Sequence, residues 1–79
     1  MKLHIISPEK ILFSGNVSAV TLPGVMGSFT ILEDHAPIVS SLKSGILSYR
    51  SNENDKDVEL TITGGFVEGK NNEINICID

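Results

Sequence analysis

Apolar and polar side chains alternate residue by residue in four stretches of the chain: Leu3 and Ile5; Phe29 and Ile31; Val58, Leu60 and Ile62; and Ile74, Ile76 and Ile78. Successive side chains of a strand point to opposite faces, so each stretch reads as a strand buried on one side. The last is the clearest: three isoleucines share a face, with Asn75 and Cys77 on the other. Cys77 is then a small strand residue rather than a reactive thiol. Turn formers separate these runs: Ser14-Gly15-Asn16, Pro23-Gly24, Ser44-Gly45, the polar segment from Asn52 to Asp57, and Gly69-Lys70-Asn71-Asn72. No apolar period of 3.6 residues is sustained for ten residues. The nearest helical start, Ser7-Pro8-Glu9, runs into the β-favouring Ile11-Leu12-Phe13 and predicts one short helical turn at most. Short strands, tight turns and no crossover helix predict an all-β fold, a flattened antiparallel sandwich or barrel, in a single domain spanning residues 1–79.

Size makes that fold marginal. A chain of 79 residues hides only about 60% of its unfolded surface. One cysteine permits no internal disulfide, and two histidines make a poor zinc set. A partner surface would supply what the core lacks. Six Lys and Arg against ten Asp and Glu leave a net charge of −4, which disfavours phosphate backbones and hence a nucleic-acid partner. The aromatic set is only Phe13, Phe29, Phe66 and Tyr49, too sparse for a base-stacking platform. Unbroken apolar runs such as Ile11-Leu12-Phe13 are far shorter than the roughly 20 residues that span a bilayer, and the N-terminus lacks a signal-peptide core. A cytosolic protein without membrane insertion is expected, able to rest against a membrane complex.

Catalytic chemistry finds little support. Ser40 or Ser41, His35 and Asp34 are the residue types of a hydrolase, but adjacent Asp34 and His35 in extended chain point apart, and no Gly-x-Ser-x-Gly elbow exists. Lys43-Ser44 lacks the upstream glycines of a phosphate-binding loop. The acidic stretch Glu53, Asp55, Asp57 and Glu59 contains Lys56 and lacks the central glycine and terminal glutamate of a calcium loop, so it reads as a solvated hairpin tip. No catalytic residue, metal or cofactor is expected. One loop is unusual: in Pro23-Gly24-Val25-Met26-Gly27-Ser28 two sizeable apolar side chains occupy the tip, to be folded back on the core or presented to another protein.

In order along the chain, Phe13-Ser14-Gly15, Leu22-Pro23-Gly24 with Gly27, His35-Ala36-Pro37, Leu42, Gly45 and Gly64-Gly65-Phe66-Val67-Glu68 resemble the N-terminal domain of the epsilon subunit of F-type ATP synthase, over Leu3 to Asp79. The resemblance implies about ten short strands in two five-stranded sheets. It also implies a non-catalytic rotor component of the central stalk of a proton-translocating complex, coupling rotation of the c-subunit ring to the gamma subunit. The place implied is the cytoplasmic face of the bacterial inner membrane, peripherally. By position, Ser7, His35, Ala36, Pro37 and Ser40 match the family's gamma-facing surface, and Val25, Met26, Gly27 and Ser28 match the loop towards the c ring. Pro37 fixes its own φ and holds Ala36 extended, giving His35 a defined direction. Gly64 and Gly65 read as a structural turn.

Departures from the family pattern are Thr30 for a common glycine, Glu33-Asp34 for proline and a small residue, and Ser44 for a frequent proline. The chain also stops where family members continue into a C-terminal helical hairpin, so a coupling subunit without an autoinhibitory arm is expected if 79 residues is the natural length. Two other classes compete. A lipoyl- or biotinyl-type carrier would use Lys56 in Asn54-Asp55-Lys56-Asp57 as its modified lysine, though the small or methionine neighbours of such a lysine are missing. An oligonucleotide-binding barrel would bind in a salt-sensitive way that the acidic balance disfavours.

Overall fold

The computed structural model describes residues 1–52 and 56–79. Eight strands account for nearly all of them: β1 (Lys2–Ile6), β2 (Ile11–Gly24), β3 (Gly27–Leu32), β4 (Ile38–Leu42), β5 (Gly45–Ser51), β6 (Asp57–Ile62), β7 (Gly65–Lys70) and β8 (Glu73–Ile78). The all-β class is as expected. The count is eight rather than about ten, because the 14-residue β2 serves both layers as one strand. Its first half pairs with β1, and its second half runs between β3 and β5. Hydrogen bonding therefore follows the order β1-β8-β7-β4-β2-β5-β6, with β3 also on β2, and the β1–β2 pairing closes a ring of strands.

Within β2 lies Ser14-Gly15-Asn16, a turn by composition and a strand in fact. Gly15 pairs with Leu3 across the sheet, and a Cβ on it would sit 3.0 Å from the Phe13 ring. The glycine makes room for an aromatic side chain, and cross-strand pairing overrides the local turn preference. At Ser7-Pro8-Glu9 there is no helical turn: Ser7 N–H donates to the Lys10 carbonyl at 2.9 Å and closes the β1–β2 hairpin. Seven of the eight strand pairings among the described residues are antiparallel; β1 and β8 run parallel. Strands from opposite ends of a chain need no direct crossover, so the usual obstacle to a parallel pair does not arise.

Most of the alternating residues join the core, together with residues of β2, β5 and β7 that lie outside those sets, while Val58 stays 44% exposed. Leu3, Ile5, Val20, Leu22, Leu47, Val67, Ile74 and Ile76 have no exposed surface, and Ile31 and Ile62 are nearly buried. Two turns show why their sequences suit them. Asn71 and Asn72 have φ of 54° and 60°, the left-handed pair of a two-residue hairpin that asparagine tolerates. Gly65 has φ of 148°, and a Cβ there would overlap the Cys77 carbonyl oxygen.

Candidate functional site

The strand registers sort the turns into two ends. Ile6 lies beside Cys77, Gly24 pairs with both Gly27 and Leu42, and Leu42 pairs with Gly65. The turns at residues 7–10, 25–26, 43–44 and 63–64 therefore share one end. The opposite end carries Met1, the 33–37 loop and the 71–72 turn. There the Met1 ammonium donates to the Val17 carbonyl at 3.1 Å and pairs with Glu33 at 3.3 Å, while Asp34 N–H donates to Asn72 Oδ1 at 2.8 Å.

The outer faces of the layers differ in chemistry. On the face formed by the first half of β2 with β1, β8, β7 and β4, the register aligns Ile11, Ile6, Cys77 and Phe66 in one row. Ile11 is 69% exposed, Phe66 50% and Ile6 40%. Val39 stands one row away at 77%, beside Glu68, and exposed Ser41 ends the row before Val25, whose N–H donates to the Ser41 carbonyl. An exposed apolar row such as Ile11, Ile6, Cys77 and Phe66 on so small a domain marks an interaction site. On the other face the rows are polar: Thr30, Thr21, Ser48 and Glu59 form one, with the threonine hydroxyls 2.9 Å apart, and Arg50 pairs with Asp57 at 3.0 Å. Leu32 and Ile46 are exposed there too, but Thr21 and Ser48 stand between them.

Of the residues singled out by sequence, Val25, Met26, Gly27 and Ser28 form the exposed β2–β3 turn, with Met26 98% exposed. The tip faces solvent rather than the core. Gly27 has φ of 129°, which a side chain would strain. His35, Ala36 and Pro37 lie at the opposite end from Ser7, so the set matched to a gamma-facing surface does not form one cluster. Ser40 sits half-buried on the inner side of β4, opposite Val67, with its hydroxyl donating to the Ser41 carbonyl at 3.2 Å. The His35 ring is half-buried, and its Nδ1–H donates to the Ala36 carbonyl at 2.9 Å. Asp34 has φ of 60° rather than the extended conformation, and its carboxylate meets Asn72 Nδ2 at 3.5 Å. Ser40, Ser41, His35 and Asp34 therefore make no catalytic arrangement. Gly64 and Gly65 link β6 to β7 beside the end of β8, where a Cβ on Gly64 would lie 2.7 Å from Asp79 Oδ2. Lys56 is exposed, while Asn54 and Asp55 of the carrier reading lie outside the described residues.

Sequence reasoning missed the apolar row, whose members come from four strands. It also missed a line of side chains beside it: Ser14 Oγ lies 2.9 Å from His4 Nδ1, and His4 Nε2 lies 3.2 Å from Glu73 Oε2. Those are the partners of an activated serine. They sit on a flat sheet in paired strands, with no cleft and no convergent amide pair for an oxyanion. The line ties β2, β1 and β8 together and lacks what acyl transfer needs.

Comparison with known proteins places this geometry. The family model for the ATP synthase Delta/Epsilon chain beta-sandwich domain matches residues 1–79. The ATP synthase epsilon chain of Leptospira interrogans is 48% identical over 79 residues, covering 100% of this chain and 61% of that protein. That of Chlorobium limicola is 40% identical over 72 residues, covering 91% of this chain and 81% of the relative. Among solved structures, a chain of the Tetrahymena thermophila mitochondrial ATP synthase central stalk and c ring superposes with a TM-score of 0.82 at 25% identity, over 99% of this chain and 62% of that one. A chain of the Euglena gracilis mitochondrial enzyme shares the fold, with a TM-score of 0.86 at 22% identity over 96% of this chain and 48% of its own. The chain spans about three-fifths of the length of the Leptospira relative.

Proposed function

The chain belongs to the ATP synthase delta/epsilon-chain β-sandwich family, and on that premise we propose that it is a non-catalytic rotor component of an F-type ATP synthase, joining the gamma subunit to the ring of c subunits. The observation that carries the reading is the contrast between the two outer faces. The apolar row of Ile11, Ile6, Cys77 and Phe66, flanked by Val39, docks the gamma subunit, and the polar face of β3, β2, β5 and β6 remains in water. Ser7 borders that row, while Ala36 and Pro37, both exposed, lie beyond Val39 at the far end of β4 as a second part of the gamma-facing surface. His35 and Ser40, half-buried, shape the surface from beneath. At the same end as the row, and opposite Ala36 and Pro37, the turn Val25, Met26, Gly27 and Ser28 reaches towards the c ring, and the exposed methionine adapts to its partner.

A coupling element must carry torque without yielding. Here β1, β8, β7, β4 and β2 are hydrogen-bonded in a closed circuit, so no strand of it can slide without breaking ladders on both sides. The work is mechanical, with no bond made or broken, at the membrane periphery on the cytoplasmic face of a bacterial inner membrane. Co-purification from detergent-solubilised membranes tests the assignment. Ile6→Asp should release the chain from gamma, at a cost of about 2–5 kcal/mol for a charge buried in an interface. Met26→Asp should loosen the c ring while gamma stays bound. Retention of both partners by both variants would refute the placement of the two surfaces.

A further inference from the structure

β6 ends its layer: among the described residues it pairs with β5 and with no other strand. Strand register shows which of its backbone groups are left open, because residues along a strand bond alternately to one side and the other. Gly24 and Gly27 close a two-residue hairpin and bond to each other, as do Leu22 with Phe29 and Val20 with Ile31. Ala19 and Thr21 therefore face β5, where they meet Arg50 and Ser48. Leu47 and Tyr49 of β5 then face Leu60 and Val58 of β6. Asp57, Glu59 and Thr61 are left with N–H and C=O groups directed away from the sheet. Two of these three open positions carry carboxylates, exposed on the outer face with Thr61. On the inner face Ile62 is buried, yet Leu60 is only half-buried and Val58 is 44% exposed. A bulge, a proline or an inward-pointing charge commonly guards a free edge. The β5–β6 ladder runs through six pairs without a register shift, and β6 holds neither proline nor an inward charge. Its guard is the negative charge at Asp57 and Glu59.

We propose that the open edge of β6 accepts an extended basic segment of another protein, added as a fifth strand to the layer of β3, β2, β5 and β6. The backbone of that segment pairs with Asp57, Glu59 and Thr61. Residues directly opposite one another in a sheet share a face, so lysine or arginine at every second position lies beside Asp57 and Glu59. The aliphatic residues between them cover Val58 and Leu60. A second copy of this chain fits less well: β6 set against β6 about Glu59 places like charges opposite, and every register brings together two chains of net charge −4. The edge belongs to the layer away from the apolar row, and the claim does not rest on the rotor reading.

Titration of the isotope-labelled full chain with a capped peptide of alternating lysine and valine, followed by amide resonances, tests the edge. Shifts should concentrate on β6 and β5, and exchange of the Asp57, Glu59 and Thr61 amides should slow. Glu59→Lys, which turns a cross-strand attraction into a repulsion, should weaken binding by about tenfold. The same peptide N-methylated at every second residue keeps its charge but cannot form the ladder, and should not bind. A peptide of alternating glutamate and valine should not bind the parent chain, a comparison that stands even if Glu59→Lys does not fold. Equal binding of the methylated peptide, shifts centred on Ile6 and Phe66, or no response at millimolar peptide would overturn the proposal. So would a concentration-dependent dimer joined through β6, which would assign the edge to a second copy.

Discussion

Phe66 offers the sharpest measurement of the docking face, because its ring is half in the protein and half in water. Full burial of a phenylalanine stabilises by roughly 1.5–3 kcal/mol. With 50% of the residue exposed in the free chain, covering the remainder contributes about 0.8–1.5 kcal/mol to association. Phe66→Ala should therefore weaken binding to the gamma subunit by about four- to twelvefold, at about 1.4 kcal/mol per tenfold. Leu32 is the matched control: it is 59% exposed but stands on the polar face, so Leu32→Ala should leave the affinity unchanged. Calorimetric titration of each variant with purified gamma gives the dissociation constants, and denaturant midpoints verify that both remain folded. Equal weakening by the two substitutions, or an unchanged constant for Phe66→Ala, would show that affinity does not come from the row.

Two further outcomes concern the fold itself. Gly65→Ala introduces a side chain at a φ of 148° and against the Cys77 carbonyl; strain and overpacking together should cost about 2–5 kcal/mol in urea unfolding, and a loss below about 1 kcal/mol would mean the backbone can relax there. Tyr49 is packed against Phe13 with ring centroids 4.3 Å apart, and burial pushes its phenol above the ordinary 10.0. The protonated form is thus favoured in the folded chain, so its contribution is complete at lower pH and is lost as pH rises past 10.0. Phenolate absorbance should appear later in the folded chain than in urea, and coincident titrations would contradict the burial.

Much of the fold was legible. The pairs and triplets at Leu3 and Ile5, Phe29 and Ile31, Val58, Leu60 and Ile62, and Ile74, Ile76 and Ile78 fall on β1, β3, β6 and β8, with Leu3, Ile5, Ile74 and Ile76 wholly buried. The apolar tip at Val25 and Met26 is also legible in the sequence, whereas its facing solvent rather than the core is not. β2 resisted, since a single strand that belongs to two layers presents no one face to alternate about, and Gly15 and Pro23 within it carry turn composition. Pro37 predicts a defined direction for His35, and only the fold shows which one: the ring lies against Gly69 and meets the Ala36 carbonyl.

What the sequence determined by itself is which side chains must leave water, because periodicity is a local property of consecutive residues and each strand carries its own. What only the tertiary structure decided is which of the remaining apolar side chains become neighbours. Ile6 and Ile11, either side of a turn, look incidental in the chain; so does Phe66, 55 residues after Ile11. They meet because β1 pairs in parallel with β8 and β8 with β7, and a slip of one residue in either register would turn the row inward and break it. Local alternation encodes the core, while long-range register, set by all strands packing at once, encodes the surface that faces a partner.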